Sequence, residues 1–488
     1  MDRPDAFDVV IIGAGSAGSV VARRLAERSH TSTLLLEAGA ASESSAEMAN
    51  GWRVPTIPDW GDVSAADGVP LRRGRTVGGS SWFTRFAVRG HRSDFDRWGA
   101  AGLAGWSFDE VLPWFRRLEA DFDYPTEPWH GIDGPLPIDR YLGFDRTPVH
   151  AAALEAMEAT GIPRVQDHNA PDANGVGPMP MSTRRGRRMT TYDAYLRDAA
   201  LPTLELRPET MVDRILVERE RATGVQLVDG SQVRATTVVL AAGTYGSPAL
   251  LLRSGVGPAE ELRRLGIPVV IDLPAVGRNL ADHPGVDLDL GYHGGGTSGP
   301  VLHSIATFRS ARATAQDPPD LLFWVSDPEA GEPALYLDPI LMKPESRGTV
   351  RLASVDPADP PTIESPGLRE TADLDRLAEG YERAIAVAAE PALRHHVRRP
   401  RNLPAGRGAR DARLREGAYA LPHVVGTCAM GVDPARSVVD GRLKVHGVEG
   451  LFVVDASVIP EPTAGFPQVV AVMLAERAGS WLSNEGSL

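Results

Sequence analysis

One cysteine, Cys428, and two lysines, Lys343 and Lys444, stand in a chain of 488 residues. A single cysteine excludes an intramolecular disulfide and any CxxC redox or zinc motif. With lysine so rare, arginine carries nearly all the positive charge. Together with abundant Ala, Gly and Pro, that bias matches GC-rich coding and carries no mechanism. No apolar run reaches 18 residues, so nothing supports a transmembrane helix. The first apolar strand begins within ten residues of Met1 and leaves no room for a secretory leader. The expectation is a cytoplasmic protein, with peripheral contact at the inner face of the membrane left open. The net charge of −13 has the wrong sign for a general role on nucleic acid. The local exception, Arg184-Arg185-Gly186-Arg187-Arg188, reads as a solvated loop, with an anionic partner as the alternative. No metal site is expected, since His395-His396 has no acidic residues spaced to complete one.

What the chain does have begins at once, with Asp8-Val-Val-Ile-Ile-Gly13-Ala-Gly15-Ser16-Ala17-Gly18. A strand runs into a glycine-rich turn and then a helix over residues 17–26. Gly13 permits the tight turn, Gly15 lets the backbone approach a pyrophosphate, and Gly18 lets helix and strand pack closely. The next apolar strand, Thr33-Leu-Leu-Leu-Glu37, ends in a carboxylate suited to a ribose diol. The unit predicts a dinucleotide site and leaves NAD, NADP and FAD open.

Further along, residues 40–67 read as an extended surface segment. The Gly/Ser-rich turn Val77-Gly78-Gly79-Ser80-Ser81 offers backbone amides to more phosphate or to a ring edge. A helix is expected over 108–120 and a loop over 121–147. Short strands near 212–217, 223–227 and 233 lead into the buried strand 236–240, which ends at Ala241-Ala242-Gly243. Residues 296–415 differ in character, with strands near 321–325 and 349–353 and a helix over 373–389. Gly450-Leu-Phe-Val-Val-Asp455-Ala456 is again a strand ending in an acid, and 469–481 is helix-like. With 42% hydrophobic residues the chain can bury a large core. The expected division is a discontinuous cofactor domain of residues 1–150, 196–295 and 416–488, with a substrate domain of 151–195 and 296–415.

Six collinear motifs carry a resemblance. They are Arg73-Gly-Arg-Thr-Val-Gly-Gly-Ser-Ser81, continued by Val88-Arg-Gly90 and Asp94-Phe-Asp-Arg-Trp98; Gly243-Thr-Tyr-Gly-Ser-Pro-Ala-Leu-Leu-Leu-Arg-Ser-Gly-Val-Gly257; Val276-Gly-Arg-Asn-Leu-Ala-Asp-His283-Pro284; Ser346-Arg-Gly-Thr-Val-Arg351; His423-Val-Val-Gly-Thr-Cys-Ala-Met-Gly431; and Asp455-Ala-Ser-Val-Ile-Pro460. Along nearly its whole length the chain resembles the glucose-methanol-choline (GMC) flavin oxidoreductases. The resemblance implies an α/β fold, with a Rossmann-like FAD-binding domain and a discontinuous α+β substrate domain built on an antiparallel sheet.

It also implies FAD held by Gly13, Gly15, Ser16, Ala17 and Gly18 at the pyrophosphate and by Glu37 and Ala38 at the adenosine ribose. Val77, Gly79 and Ser80 would lie against the flavin, and Val212 would reach the adenine side through its backbone. Ala242, Gly243, Asp455, Ala456 and Pro467 would border the rest of the cofactor. Some members bond flavin covalently to a histidine after the Gly/Ser turn; Trp82 in that neighbourhood implies non-covalent FAD. A lone histidine before a glycine turn is ordinarily structural, but the family motif gives His423 the role of base in alcohol oxidation. His283 would order a turn near the cofactor.

Two departures stand out. Where the family places a second active-site His or Asn, this chain has Gln468, a group that orients but takes no proton; a slip of one residue puts Pro467 there. The segment after Ser81 is one residue short and lacks the usual asparagine, which leaves Trp82, Phe83 and Arg85 open between packing and substrate contact. Phe323, Trp324 and Tyr336 are candidate pocket walls. The reading is therefore an alcohol-oxidising flavoenzyme whose acceptor is oxygen, a quinone or a respiratory partner. Its compactness also resembles members that work with the redox carrier mycofactocin, for which the donor would be the reduced carrier. A non-redox, hydroxynitrile-lyase-like protein is the rival on the same scaffold.

Overall fold

The computed structural model describes residues 6–27, 31–41, 55–292, 294, 296, 303–328, 334–398, 404 and 406–485. Of the expected surface segment 40–67, residues 42–54 lie outside that description.

Alternating apolar runs too short for helices form two seven-stranded sheets. The first runs in the order Leu204–Arg207, Thr33–Leu36, Ala6–Ile12, Gln232–Leu240, Arg221–Leu227 and Val212–Glu218, with Leu451–Val453 also on Gln232–Leu240. Its centre is parallel: Val9 to Ile12 pair with Thr33 to Leu36 on one side and with Thr237 to Leu240 on the other. Those strands are buried nearly throughout, which is why they read as continuous Val/Ile/Leu runs. The fingerprint helix Ser16–Ala26 and the C-terminal helix Pro467–Glu485 pack on each other over this sheet. The expected helix at 108–120 stops at Leu118, and Glu119–Asp121 turns into a short strand paired with Leu136–Ile138.

The second sheet is antiparallel, in the order Ala418–Ala420, Pro284–Val286, Ala334–Leu341, Leu321–Ser326, His303–Phe308 and Val176–Pro178, with Asp289–Gly291 also on Ala334–Leu341. Strands 284–286, 289–291 and 418–420 thus belong here, although the sequence grouped them with the cofactor domain. One face of this sheet is covered by the helix Thr371–Ala389 and holds its own core, including Leu321, Phe323 and Val325. The other face presents Ile305, Leu322, Trp324 and Ile340 to Val88 and Phe466. That second layer is the seam between the antiparallel sheet and the segments around Val88 and Phe466, and each fully buried large side chain in it contributes about 1.5–3 kcal/mol.

Candidate active site

The fingerprint loop forms a cradle that side chains would fill. Gly13 has φ +101, and a Cβ there would lie 2.5 Å from the Ala241 carbonyl oxygen. A Cβ on Gly18 would lie 1.9 Å from the Gly13 oxygen, so helix and turn meet without a side chain between them. Gly15 differs: a Cβ there would meet nothing nearer than Gly79 Cα, at 3.9 Å. The space beside Gly15 takes a methyl-sized group at contact distance, and the Gly/Ser turn is its opposite wall, close enough that a Cβ on Gly79 would lie 2.8 Å from Gly15 Cα and tied down by Gly78 N donating to Ala14 O at 2.7 Å. No side chain caps the fingerprint helix at Gly15. Its first amides, around Ser16, Ala17 and Gly18, therefore point their partial positive charge into that space.

Glu37 sits at the far end of the cradle. Its Oε2 accepts from Ala14 N and its Oε1 from Gly39 N, both at 2.9 Å. Burial raises its carboxyl to about 7, against the pull of those amides. Thr210 N donates to Glu37 O at 2.8 Å, which brings the start of the Val212 strand alongside Glu37 and Ala38. Asp455 is buried at the opposite end, where Oδ2 accepts from Gly243 N and Ser247 Oγ and Oδ1 from Ser457 N. Those bonds tie the Ala242–Gly243 helix start to Ala456. A dinucleotide fits this set: an uncapped helix N-terminus for its phosphates, with a diol acceptor on one side and a pinned loop on the other. Trp82 is packing: it is buried, and its indole N–H donates to Val77 O at 2.8 Å.

His423 stands at the seam. Its Nδ1 lies 3.1 Å from Nδ1 of His283, and its ring is 4.7 Å from that of Phe466. One oxygen of Asp282, Oδ1, accepts from both His283 N (2.7 Å) and His423 N (2.8 Å), so a single carboxylate sets the spacing of the two imidazoles. Burial, followed by the charge of His283 and Arg73, holds His423 well below the ordinary imidazole range. Burial, then the Lys343 charge, pushes His283 down to about 3. Both rings are therefore neutral at pH 7, and the short Nδ1···Nδ1 contact carries one proton. If that proton is on His423, its Nε2 has a free lone pair and His283 is the acceptor that orients it.

The structure does not bring Gln468 to His423. Gln468 Oε1 instead accepts from Ser16 Oγ at 2.7 Å, beside the first turn of the fingerprint helix. The residue against His423 is Phe466, two positions earlier, held by Phe466 N donating to Val88 O at 2.9 Å. Gly90 and Gly465 permit that approach, since a Cβ on Gly465 would lie 2.3 Å from Gly90 N. Asp94 locks it, accepting from His91 N, Ala464 N and Lys343 Nζ. Pro467 opens the C-terminal helix between these two side chains. Of the wall candidates, Phe323 points into the far core, Tyr336 is exposed, and Trp324 faces the seam. Sequence reasoning missed Phe466 and the His283 partnership; the only hint was that His283 and His423 lie in motifs of one family.

A two-sheet protein with a dinucleotide cradle and a buried, neutral histidine at the seam has the architecture of a cofactor-dependent oxidoreductase. Family models described as GMC oxidoreductase match residues 7–285 and 344–475. The chain is 35% identical to a GMC-type oxidoreductase of Rhodococcus erythropolis, over 99% of each. It is 33% identical to a 5-(hydroxymethyl)furfural oxidase of Methylovorus (96% of this chain, 97% of the relative) and to an oxygen-dependent choline dehydrogenase of Ectopseudomonas mendocina (96% and 93%). The structure is similar to that of pyridoxine 4-oxidase from Mesorbium loti, with TM-score 0.89, 30% identity and coverage of 98% and 99%. The chain belongs to the GMC oxidoreductase family.

Proposed function

We propose that the protein binds FAD non-covalently and oxidises an alcohol, with His423 Nε2 as the base. The observation that carries this reading is a neutral His423 whose Nδ1 faces an acceptor, at the seam beside a dinucleotide cradle. The backbone amides of the fingerprint helix, beside the Gly15 and Gly79 turns, would hold the pyrophosphate, and Glu37 the ribose. When bound, the flavin supplies the hydride acceptor. His423 takes the hydroxyl proton as the carbinol loses hydride, and the imidazolium formed is stabilised by hydrogen bonding to neutral His283. Asp282 keeps the pair in register. Phe466 and Trp324 exclude water from the carbinol, which prolongs the lifetime of the alkoxide character at its oxygen. Relatives named for oxidation of choline, 5-(hydroxymethyl)furfural and pyridoxine support an alcohol donor.

Anaerobic stopped-flow with an alcohol panel tests this. Substrate-dependent bleaching of the flavin is expected, and the His423→Ala variant should retain flavin yet reduce about 10²–10⁴-fold more slowly. Near wild-type reduction in that variant would sink the assignment. Including reduced mycofactocin in the panel separates a carrier-linked enzyme, and re-oxidation with oxygen or quinones identifies the acceptor. Acid precipitation should leave the yellow colour in solution.

A further inference from the structure

The run Arg184-Arg185-Gly186-Arg187-Arg188 forms a hairpin: Thr183–Arg184 pairs with Arg187–Arg188, and Arg185 (φ +52) and Gly186 (φ +78) make the turn. Two central residues with positive φ give the tight turn whose twist matches its flanking strands. Arg184, Arg185 and Arg187 are exposed, while Arg188 is buried and donates to Phe83 O at 2.7 Å. A second turn stands against the first. Phe144 N donates to Tyr141 O at 3.1 Å, and Leu142, Gly143 and Phe144 are exposed around it. Tyr141 joins the two turns. Its hydroxyl donates to Thr183 Oγ1 at 2.6 Å and accepts from Gly186 N at 3.2 Å, and its ring lies 5.6 Å from that of Phe144.

Leu142 is 42% exposed and Phe144 49%, so two large apolar side chains stand in water beside the arginines. Within the same two loops, Asp139 is half-buried and accepts from Tyr141 N, Asp145 is exposed, and Arg146 follows it half-buried. With Arg184, Arg185, Arg187 and Arg146 against two carboxylates, this surface is positive, on a chain whose net charge is −13. At physiological salt the field of an exposed charge fades within about 8 Å, so whatever approaches the turns meets the arginines and not the distant acids. Apolar tips among arginines suit the headgroup layer of a bilayer, with Leu and Phe in the acyl boundary and guanidinium groups on the phosphates. An acidic protein or a nucleic acid would use the arginines but leave Leu142 and Phe144 in water unless it brought a pocket for each.

We propose that the two turns form a docking surface for an anionic phospholipid bilayer. The hairpin is bonded to the segment that follows the Gly/Ser turn, since Ser182 N donates to Arg85 O and Thr191 N donates to Ser81 Oγ at 3.2 Å. Docking therefore sets the bilayer beside the segment leading out of that turn, the flank from which an electron acceptor dissolved in lipid would approach.

The test uses the flavin-loaded protein with vesicles of phosphatidylcholine alone or with about one third phosphatidylglycerol. The protein should co-sediment with the anionic vesicles only, and less as salt is raised. Arg184→Gln and Arg185→Gln should each weaken that binding about fivefold, and Leu142→Ser combined with Phe144→Ser about tenfold, with flavin content unchanged in all of them. The native Cys428 is buried, so a cysteine placed at Leu142 can be labelled alone. An environment-sensitive dye on Leu142→Cys should brighten and shift to the blue with anionic vesicles. The same dye on Val432→Cys, an exposed position beside Gly102, should not respond. Absent sedimentation, equal sedimentation with both kinds of vesicle, or equal response of the two dyes would overturn the proposal. Arginine-dependent binding with the dye at Leu142→Cys still in water would also overturn it and assign the patch to an acidic macromolecule instead.

Discussion

An imidazole in water has lost about three quarters of its base form by pH 6. His423 is in another situation, because burial and neighbouring positive charge hold it neutral well below that point. The rate constant for flavin reduction should therefore stay level from pH 8 to 6, and a fall tracking a pKa near 6.5 would show that His423 is more hydrated than its packing here. The partner matters as well as the base. His283→Ala removes the Nδ1 acceptor and frees His423 to sit in either tautomer; reduction should slow by about tenfold or more with little change in substrate Kd. An unchanged rate would return His283 to a purely structural role. His423 was legible from its motif. Phe466 was not, because which of three neighbouring residues faces the imidazole depends on a backbone hydrogen bond to Val88, some 380 positions away in the chain.

At the scale of the element, the fingerprint shows two kinds of glycine. Gly18 is required by packing, since its Cβ would overlap the Gly13 carbonyl, so Gly18→Ala should cost about 1–3 kcal/mol of stability whether or not flavin is present. Gly15 has φ −78, and a Cβ there would rest at contact distance, 3.9 Å, from Gly79 Cα, so Gly15→Ala should leave the apoprotein's Tm nearly unchanged while weakening flavin binding about tenfold or more. Thermal melts of apoprotein and flavin titrations separate the two outcomes; equal loss of stability in both variants would mean that Gly15 is also a packing residue. Strands and helices were legible from periodicity. In Leu321–Ser326 the period of two sends Phe323 to the core and Trp324 to the seam, but the sequence alone does not say which face is which. The end of the helix at Leu118 was missed because Glu119, which looks like one more helical surface residue, is buried on Arg89 and His130.

That burial belongs to a network that ties together segments between Arg89 and Asp167. His130 Nδ1 faces Glu119 at 2.8 Å and Nε2 faces Asp167 at 2.9 Å, while Arg140 bonds Asp121 and Asp167. Glu119, Asp121 and His130 lie close enough together to hold a cation. Here their ligand atoms already serve Arg89, Arg140 and each other. Two carboxylates on one imidazole require both ring nitrogens to donate. Burial opposes the imidazolium, but its hydrogen bonds to Asp167 and Glu119 outweigh that and raise His130 above 6.5. Because the folded pKa is the higher one, this stabilisation is complete below pH 6.5 and is lost as pH rises through the folded value. His130→Gln should cost about 3–5 kcal/mol at pH 6, and the gap in Tm from wild type should narrow on the alkaline side. A gap independent of pH would mean that His130 is neutral in the fold. Among the described residues no helix is long and apolar enough to cross a membrane.

What the sequence by itself determined is local: the glycine turn, the apolar strands and the order of motifs depend on short-range sterics and on side-chain period, and a chain carries both in its linear text. Even the family followed from such stretches. Only the tertiary structure decided which distant groups meet. It set His283 against His423, turned Gln468 toward Ser16 and put Phe466 in the vacated place. Those contacts join segments far apart in the chain, and the proton affinities they create come from burial, which no single segment possesses until the chain packs on itself.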